Sequence, residues 1–477
     1  MLFDASRLAP LPTCVEVLPV MAAKARYALV ELLRPLGLRP TWTDREGLSG
    51  GGLYYGVTPT AAPARALRLR HHASTAAFFA TQQRYEARAA TTLRWDDEDW
   101  PVLFPLDGEA LSSEPFEGAD LVASAFYWLS GWHEATTRQR DVHGRFPYAA
   151  SLHVELDRAA AKPPAIPTVL WPAVDAYRAR LGAALAEQGV AFERLGWRTG
   201  AQRPAERQGA VCLTYDIDHW RRRRLGVAAR ALRGIGSWRS LVGPDPFQHG
   251  LDLLLDPVEV LGGHATVFLK MSADAAEDVP YRAREADLRR FTRRVLESGG
   301  EVGLHPGYFA HDHVGRLLAE RDRLARLVGQ PVRAVRQHYL RHDAVRTPRL
   351  QAAAGFHLDS TLGFSAHEGF RRATTMPVQL YDLDADAPLD LWALPVHAMD
   401  TTLFQHRALT PEAVREAFRQ VVAQVRRFSG VAVLLWHNTV GDALLHPHQA
   451  ATYTQVLEDT AAAMPLLTLT EAVESWR

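Results

Sequence analysis

The pattern of apolar and polar positions changes character near residue 210. Beyond it, short apolar runs at 211–215 (VCLTY), 264–269 (HATVFL), 301–304 (EVGL), 333–336, 391–396 (LWALPV) and 431–436 (VAVLLW) read as strands. Between them, stretches at 284–298, 312–327, 411–428 and 447–463 carry apolar residues at the spacing of one helix face. Strands alternating with helices predict parallel βα units, as a barrel or a doubly wound sheet. About 270 residues are available, which suits a (β/α) barrel.

The first part of the chain is less regular. Residues 21–37 predict a helix ended by Gly37, and the glycine-rich turn near residue 50 leads into a strand over 50–58. Residues 120–135 (DLVASAFYWLSGWHEA) predict a buried, aromatic helix. Pro163, Pro164, Pro167 and Pro172 mark an extended connection, and Ala173 to Gln188 a further helix. Residues 196–210 are polar, contain Gly and Pro and lack periodicity, so the domain boundary belongs there. The expected organisation is an α/β unit over 1–205 followed by a larger α/β unit over 206–477, without internal repeats.

Composition narrows the function classes. In 477 residues, 54 Lys+Arg balance 54 Asp+Glu, a net charge of zero. That argues against a dedicated nucleic-acid binder and against a charged, disordered chain. The two cysteines, Cys14 and Cys212, form neither a disulfide framework nor a C-x-x-C metal pattern. No apolar segment at the N-terminus reads as a secretory signal, and Cys14 lacks the hydrophobic stretch that a lipoprotein site needs. No apolar run is long enough to span a bilayer. A soluble cytoplasmic protein is expected. The segment Trp220 to Arg239 carries Arg221, Arg222, Arg223, Arg224, Arg230, Arg233 and Arg239. It reads as a solvated helix face, or as a phosphate-binding or membrane-surface helix making peripheral contact at the inner membrane.

Histidine is unevenly spread: five lie in residues 1–200 and fifteen in residues 201–477. Four segments place candidate groups directly after expected strands: Thr214-Tyr215-Asp216-Ile217-Asp218, Gly303-Leu304-His305-Pro306, Arg336-Gln337-His338-Tyr339 and Leu435-Trp436-His437-Asn438. In parallel α/β folds, catalytic groups collect at these strand ends. One Asp-x-Asp with three His-bearing strand ends suits a catalytic zinc site, in which one carboxylate binds metal and the other moves a proton.

These residues resemble a known family. Residues 210–440 are similar to the polysaccharide deacetylase, or NodB-type, homology domain of carbohydrate esterase family 4. Residues 120–152 resemble an uncharacterised α/β domain that precedes it in some bacterial relatives. The resemblance implies a (β/α)7-type barrel, a divalent metal, most simply Zn2+, and hydrolysis of an acetyl group from a sugar by metal-activated water. TYDID matches the family's T-F-D-D motif, so Asp216 is the expected general base and Asp218 a metal ligand. EVGLHPGY makes His305 a ligand. The family's second histidine of H-[ST]-x-x-H falls here on Phe309, which cannot bind metal. His338, standing at the proline position of R-x-P-[YW], is the expected replacement, with His311 as the alternative. Arg336 is expected to pair with the base and LLWHN to supply His437 as general acid, with Asp400 orienting it.

Further expectations follow from the resemblance. A backbone N–H near Tyr339 holds the oxyanion; Arg371 contacts substrate or forms a structural ion pair that holds a long loop; and the rings of Tyr308 and Trp436 stack on sugar faces or pack in the core. The expected partner is an acetylated sugar or glycan, lipid- or nucleotide-linked. His71, His72, His446 and His448 are read as surface residues. A non-catalytic carbohydrate-binding protein on a degenerate barrel, or a metal amidohydrolase for a non-sugar substrate, are the alternatives.

Overall fold

The structure, a computed structural model, describes residues 4–58, 62–95, 98–104, 119–160, 164, 166–195, 209–221, 245–281 and 283–476. The expected boundary near residue 205 and the arginines Arg222–Arg224, Arg230, Arg233 and Arg239 lie outside the described residues. Arg221 is described and lies 3.6 Å from Asp287. No described helix is long and apolar enough to cross a membrane.

Two parallel sheets organise the protein. The first contains β1 (Ala9–Glu16), β2 (Leu38–Trp42), β3 (Gly52–Gly56) and β4 (Ala66–Arg70), in the order β2-β1-β3-β4. The expected strand at 50–58 is β3; β1, β2 and β4 carry too many prolines and arginines for the apolar signal to mark them. A separate antiparallel pair, β5 (Thr91–Trp95) and β6 (Glu98–Val102), follows. The expected helices appear as Pro19–Leu33, as Leu121–Ser130 continued by Trp132–Thr136, and as Ala173–Glu187. Asp120 caps Leu121–Ser130 by accepting from Ala123 N at 3.0 Å. Gly131, at φ +76°, breaks the helix at a point where an added Cβ would lie 2.0 Å from Arg372 Nη1.

The second sheet has nine strands: β7 (Ala210–Ile217), β8 (Ala265–Lys270), β9 (Glu301–His305), β10 (Ala334–Val335), β11 (Leu358–Asp359), β12 (Val378–Asp382), β13 (Ala387–Ala393), β14 (Ala398–Met399) and β15 (Val431–His437). Their order is β12-β13-β11-β10-β9-β8-β7-β15-β14, parallel except for the β12–β13 pair. Helices Glu285–Glu297, Val314–Val328, Pro411–Phe428 and Gln449–Ala463 fall within a few residues of their expected positions.

The expectation of a closed (β/α)7 barrel is corrected: among the described residues the sheet is open. One edge strand, β14, has only two paired residues before the chain turns into the helix Thr402–His406. At the other edge, β12 runs antiparallel and its Gln379 carbonyl accepts from the Tyr27 hydroxyl at 2.8 Å, a residue of the N-terminal helix Pro19–Leu33. The edge that a barrel would close is thus partly satisfied by the N-terminal half.

The two halves share an apolar core, in which Ala373, Val378 and Tyr381 pack with Leu29, Phe126 and Tyr177. Buried polar contacts fix the join. Glu134 takes Arg371 through Oε1 at 2.9 Å and Oε2 at 2.7 Å, and Arg372 at 3.2 Å. Asp175 accepts from Thr375 N at 2.6 Å and Thr374 Oγ1 at 2.8 Å.

Candidate active site

The C-terminal strand ends of the larger sheet converge on one open cleft of about 750 Å³. Asp216 lies at the end of β7 with Asp218 just beyond it; Lys270 ends β8, His305 ends β9, and Arg336 and His338 follow β10. Asp400 follows β14 and His437 ends β15. Registers of Lys270 with His305, and of His437 with Asp216, bring residues far apart in the chain into adjacent positions.

Asp218, His305 and His338 form a group whose ligand atoms all lie within 4.8 Å of one another. His305 Nε2 is 3.5 Å and His338 Nε2 3.6 Å from Asp218 Oδ1. A tetrahedral zinc with ligands at about 2.05 Å has ligand–ligand edges of roughly 3.3 Å, so the spacing fits. The other ring nitrogens are occupied, which sets the tautomers. His305 Nδ1 donates to the Arg336 carbonyl at 2.6 Å and His338 Nδ1 to Asp278 at 2.7 Å, leaving both Nε2 atoms as the free donors of electron pairs. Asp218 Oδ1 is buried without a hydrogen-bond partner, an arrangement that a cation completes. Burial opposes ionisation of Asp218, but the neighbouring His305, His338 and Lys270 hold its carboxyl well below the usual range.

Beside this group, Asp216 accepts from Arg336 Nη1 at 2.9 Å. Arg336 is itself immobilised: Nε and Nη2 donate to the Ser360 carbonyl and hydroxyl at 2.9 and 2.7 Å, and its guanidinium lies 4.4 Å from the Phe268 ring centre. Asp216 Oδ2 stands 3.7 Å from His305 Nε2. Across the cleft, His437 Nδ1 donates to Asp400 Oδ1 at 2.7 Å, and the His437 main-chain N–H to Oδ2 at 2.9 Å. His437 Nε2 is 3.8 Å from Asp218 Oδ2. Burial alone would lower the His437 pKa; the Asp400 carboxylate overrides it and raises it to about 10.

Known proteins resemble parts of the chain. Residues 42–163 match a family described as a family of unknown function, DUF7033. No curated protein matches the chain. A Mycobacterium smegmatis structure provisionally described as a polysaccharide deacetylase is 18% identical, covering 60% of this chain and 95% of its own, with a TM-score of 0.41. PuuE allantoinase is 13% identical over 56% of this chain and 89% of its own, with a TM-score of 0.38. A CE4 family pseudoenzyme from Bacillus anthracis is 12% identical over 57% of this chain and 67% of its own, with a TM-score of 0.28. Scores this low carry no functional assignment.

The other expected residues are distributed differently. Tyr339 lines the cleft, with φ at +61°; Leu340 follows at +53°. Two successive non-glycine residues in the left-handed region need outside support, and Arg145 Nη1 donates to the Tyr339 carbonyl at 3.0 Å. Tyr308 is buried behind Tyr339, its hydroxyl 3.0 Å from His143 Nδ1. Trp436 is fully buried and stacked on Phe418 at 5.3 Å, so its ring is not presented to the cleft. Arg371 is held by Glu134 and the Gly363 carbonyl rather than presented to the cleft. His311 is outside the metal-compatible group, and Phe309 is exposed.

Several residues escaped the sequence reading. Asp278 supports His338 from the connection after β8, where no motif marks it. Lys270 had a readable signal, being the one lysine of the C-terminal half. His143 and Arg145, from the N-terminal half, form part of the cleft wall. His446, expected at the surface, also lines the cleft, while His71 and His72 are buried, His71 against Asp120 at 2.9 Å. Polar residues are placed inside when a specific partner satisfies them, and such partners are invisible in sequence.

Proposed function

We propose that this chain is a metal-dependent hydrolase that removes an acetyl group, carried on nitrogen, from an amino sugar or glycan. The observation that carries the reading is the Asp218–His305–His338 group with its unpartnered Oδ1, flanked in one cleft by a carboxylate and an imidazole in separate hydrogen-bonded settings. A divalent cation held by these three residues, zinc by the nitrogen-rich donor set, supplies polarisation of the scissile carbonyl and a lowered pKa for water.

The remaining chemistry belongs to the chain. Asp216, oriented by Arg336, takes the proton of the attacking water. His437, protonated against Asp400, delivers its Nε2 proton to the departing amine, which is otherwise too poor a leaving group. The Tyr339 main-chain N–H is assigned to the developing oxyanion. Residues 1–205 then act as a unit that walls the cleft and supports the sheet edge, and residues 206–477 as the catalytic unit.

Elemental analysis of the purified protein, paired with acetate release from N-acetylated chitooligosaccharides, tests the reading. Bound zinc and acetate release that a chelator abolishes and zinc restores are expected. Protein that binds these oligosaccharides but neither holds metal nor releases acetate is a binding protein, and the reading fails.

A further inference from the structure

Seven cationic side chains are buried among the described residues: Lys24, Arg34, Arg178, Lys270, Arg336, Arg371 and Arg372. Six have a carboxylate partner: Asp386 for Lys24, Glu31 for Arg34, Asp175 for Arg178, Asp216 for Arg336, and Glu134 for Arg371 and Arg372. Lys270 is the exception, 4% exposed and in no ion pair with a described residue. Buried cations are costly unless paired, so an unpaired one facing a cleft points to a partner that arrives with the ligand.

Its setting supports this. Lys270 ends β8 in register with His305 and lines the same cleft as the metal-compatible group. Its main-chain N–H donates to the Tyr281 hydroxyl at 2.9 Å, while the ammonium lies 5.7 Å from the Tyr281 ring centre, a contact that does not neutralise charge. The carboxylates whose fields reach it are Asp218 and Asp278. Asp278 is already committed to His338 and to the Tyr308 N–H, and Asp218 to the metal-compatible group. The residue type is informative too, since only three of the 54 basic residues are lysine. An ammonium is a compact point charge, whereas a guanidinium fork needs more room and a planar partner.

We propose that Lys270 reads an anionic group, a carboxylate or a phosphate, on the acetylated substrate, so that the preferred substrate is an acidic amino sugar rather than a neutral one. The inference rests on the deacetylase reading above and names the substrate class of that site.

The test compares acetate release from N-acetylglucosamine, from N-acetylglucosamine phosphorylated on its primary hydroxyl, and from N-acetylmuramic acid. Calorimetry on the same zinc-supplemented protein measures binding of the three deacetylated sugars. Wild type is expected to favour an acidic sugar over the neutral one by about 10-fold to 100-fold in kcat/KM and in Kd, the range of a charge-assisted contact. The phosphate and carboxylate arms show which anion is read. K270M is expected to erase the preference and K270R to retain part of it, with K270Q used if K270M does not fold. Equal use of acidic and neutral sugars by wild type overturns the inference. So does an equal loss of kcat on all three in K270M, since Lys270 would then serve the reaction centre. Lysine-dependent binding of acidic sugars without acetate release from any substrate sinks the deacetylase reading and leaves the anion site standing.

Discussion

His338 Nδ1 lies 2.7 Å from Asp278 Oδ1, across a sequence separation of 60 residues. On the proposed reading, the contact turns a histidine at an unusual motif position into a fixed metal donor. It holds the proton on Nδ1, aims Nε2 at Asp218, and raises the basicity of the ring. Burial pushes the His338 pKa down, and the Asp278 carboxylate opposes this. Burial also raises the Asp278 pKa, but hydrogen bonds from His338 and the Tyr308 N–H bring it below the usual value.

Asp278→Ala is expected to weaken zinc binding by about 10-fold to 100-fold, the usual effect of losing such a supporting carboxylate. Competition with a chromophoric chelator measures it. Unchanged affinity would mean that His338 is oriented by packing alone.

The choice of third ligand separates two variants. His338→Ala is expected to lose stoichiometric zinc, whereas His311→Ala retains it, because His311 lies outside the group of converging donors. Metal content after gel filtration reads the difference, and the reverse pattern would reassign the site.

Asp216→Asn and His437→Ala are expected to lower kcat by about 10²-fold to 10⁴-fold each, the range for a general base or acid. Their zinc content should match wild type, since neither residue belongs to the three-donor group. Full activity in either variant removes that residue from the mechanism.

Asp400 controls the charge of His437. The His437 pKa is raised from 6.5 to about 10, burial opposing and Asp400 prevailing. The ion pair therefore stabilises the fold fully below about pH 6.5 and loses its contribution as pH rises through about 10. Asp400→Asn removes the largest raising influence and leaves the weaker fields of Asp218 and Asp216. The alkaline limb of the pH–kcat profile is then expected to move to lower pH, with the high-pH destabilisation reduced. A profile identical to wild type would contradict the pairing.

The join between the halves is sensitive to acid. Burial raises the Glu134 pKa, yet Arg371 and Arg372 more than reverse this and hold it well below its ordinary 4.5. Its contribution is present above that value and is lost as pH falls toward the folded pKa. Glu134→Gln strands two buried guanidinium groups and is expected to cost about 3–5 kcal/mol. Denaturant melts at neutral pH measure the loss, which should shrink on acidification as wild-type Glu134 also becomes protonated.

How much of this was legible varied with range. The strands at β7, β8, β9 and β15 were readable because a strand buried on both faces is apolar along its length, and of β13 only its buried end, from Leu391, was readable. Strand β1 was not, because APLPTCVE mixes prolines with polar residues in a partly exposed strand. The candidate ligands were accessible because chemistry at parallel strand ends leaves polar residues directly after apolar runs. Asp278 and His143 follow no such run, and only three-dimensional proximity singles them out. For the same reason Trp436, beside a site residue in sequence, points into the core: alternate positions of a strand face opposite sides.

The sequence by itself determined the candidate residues at the strand ends of the C-terminal half, and the alternation of strands and helices that delivers them to one edge of a sheet. Periodicity and residue type are local properties, and local steric and hydrophobic rules read them directly. Only the tertiary structure decided that, among the described residues, the sheet stays open, Glu134 engages Arg371 and Lys270 is left without an ion pair. Those outcomes depend on pairings across tens to hundreds of residues, where burial and electrostatics select one partner among many chemically equivalent side chains.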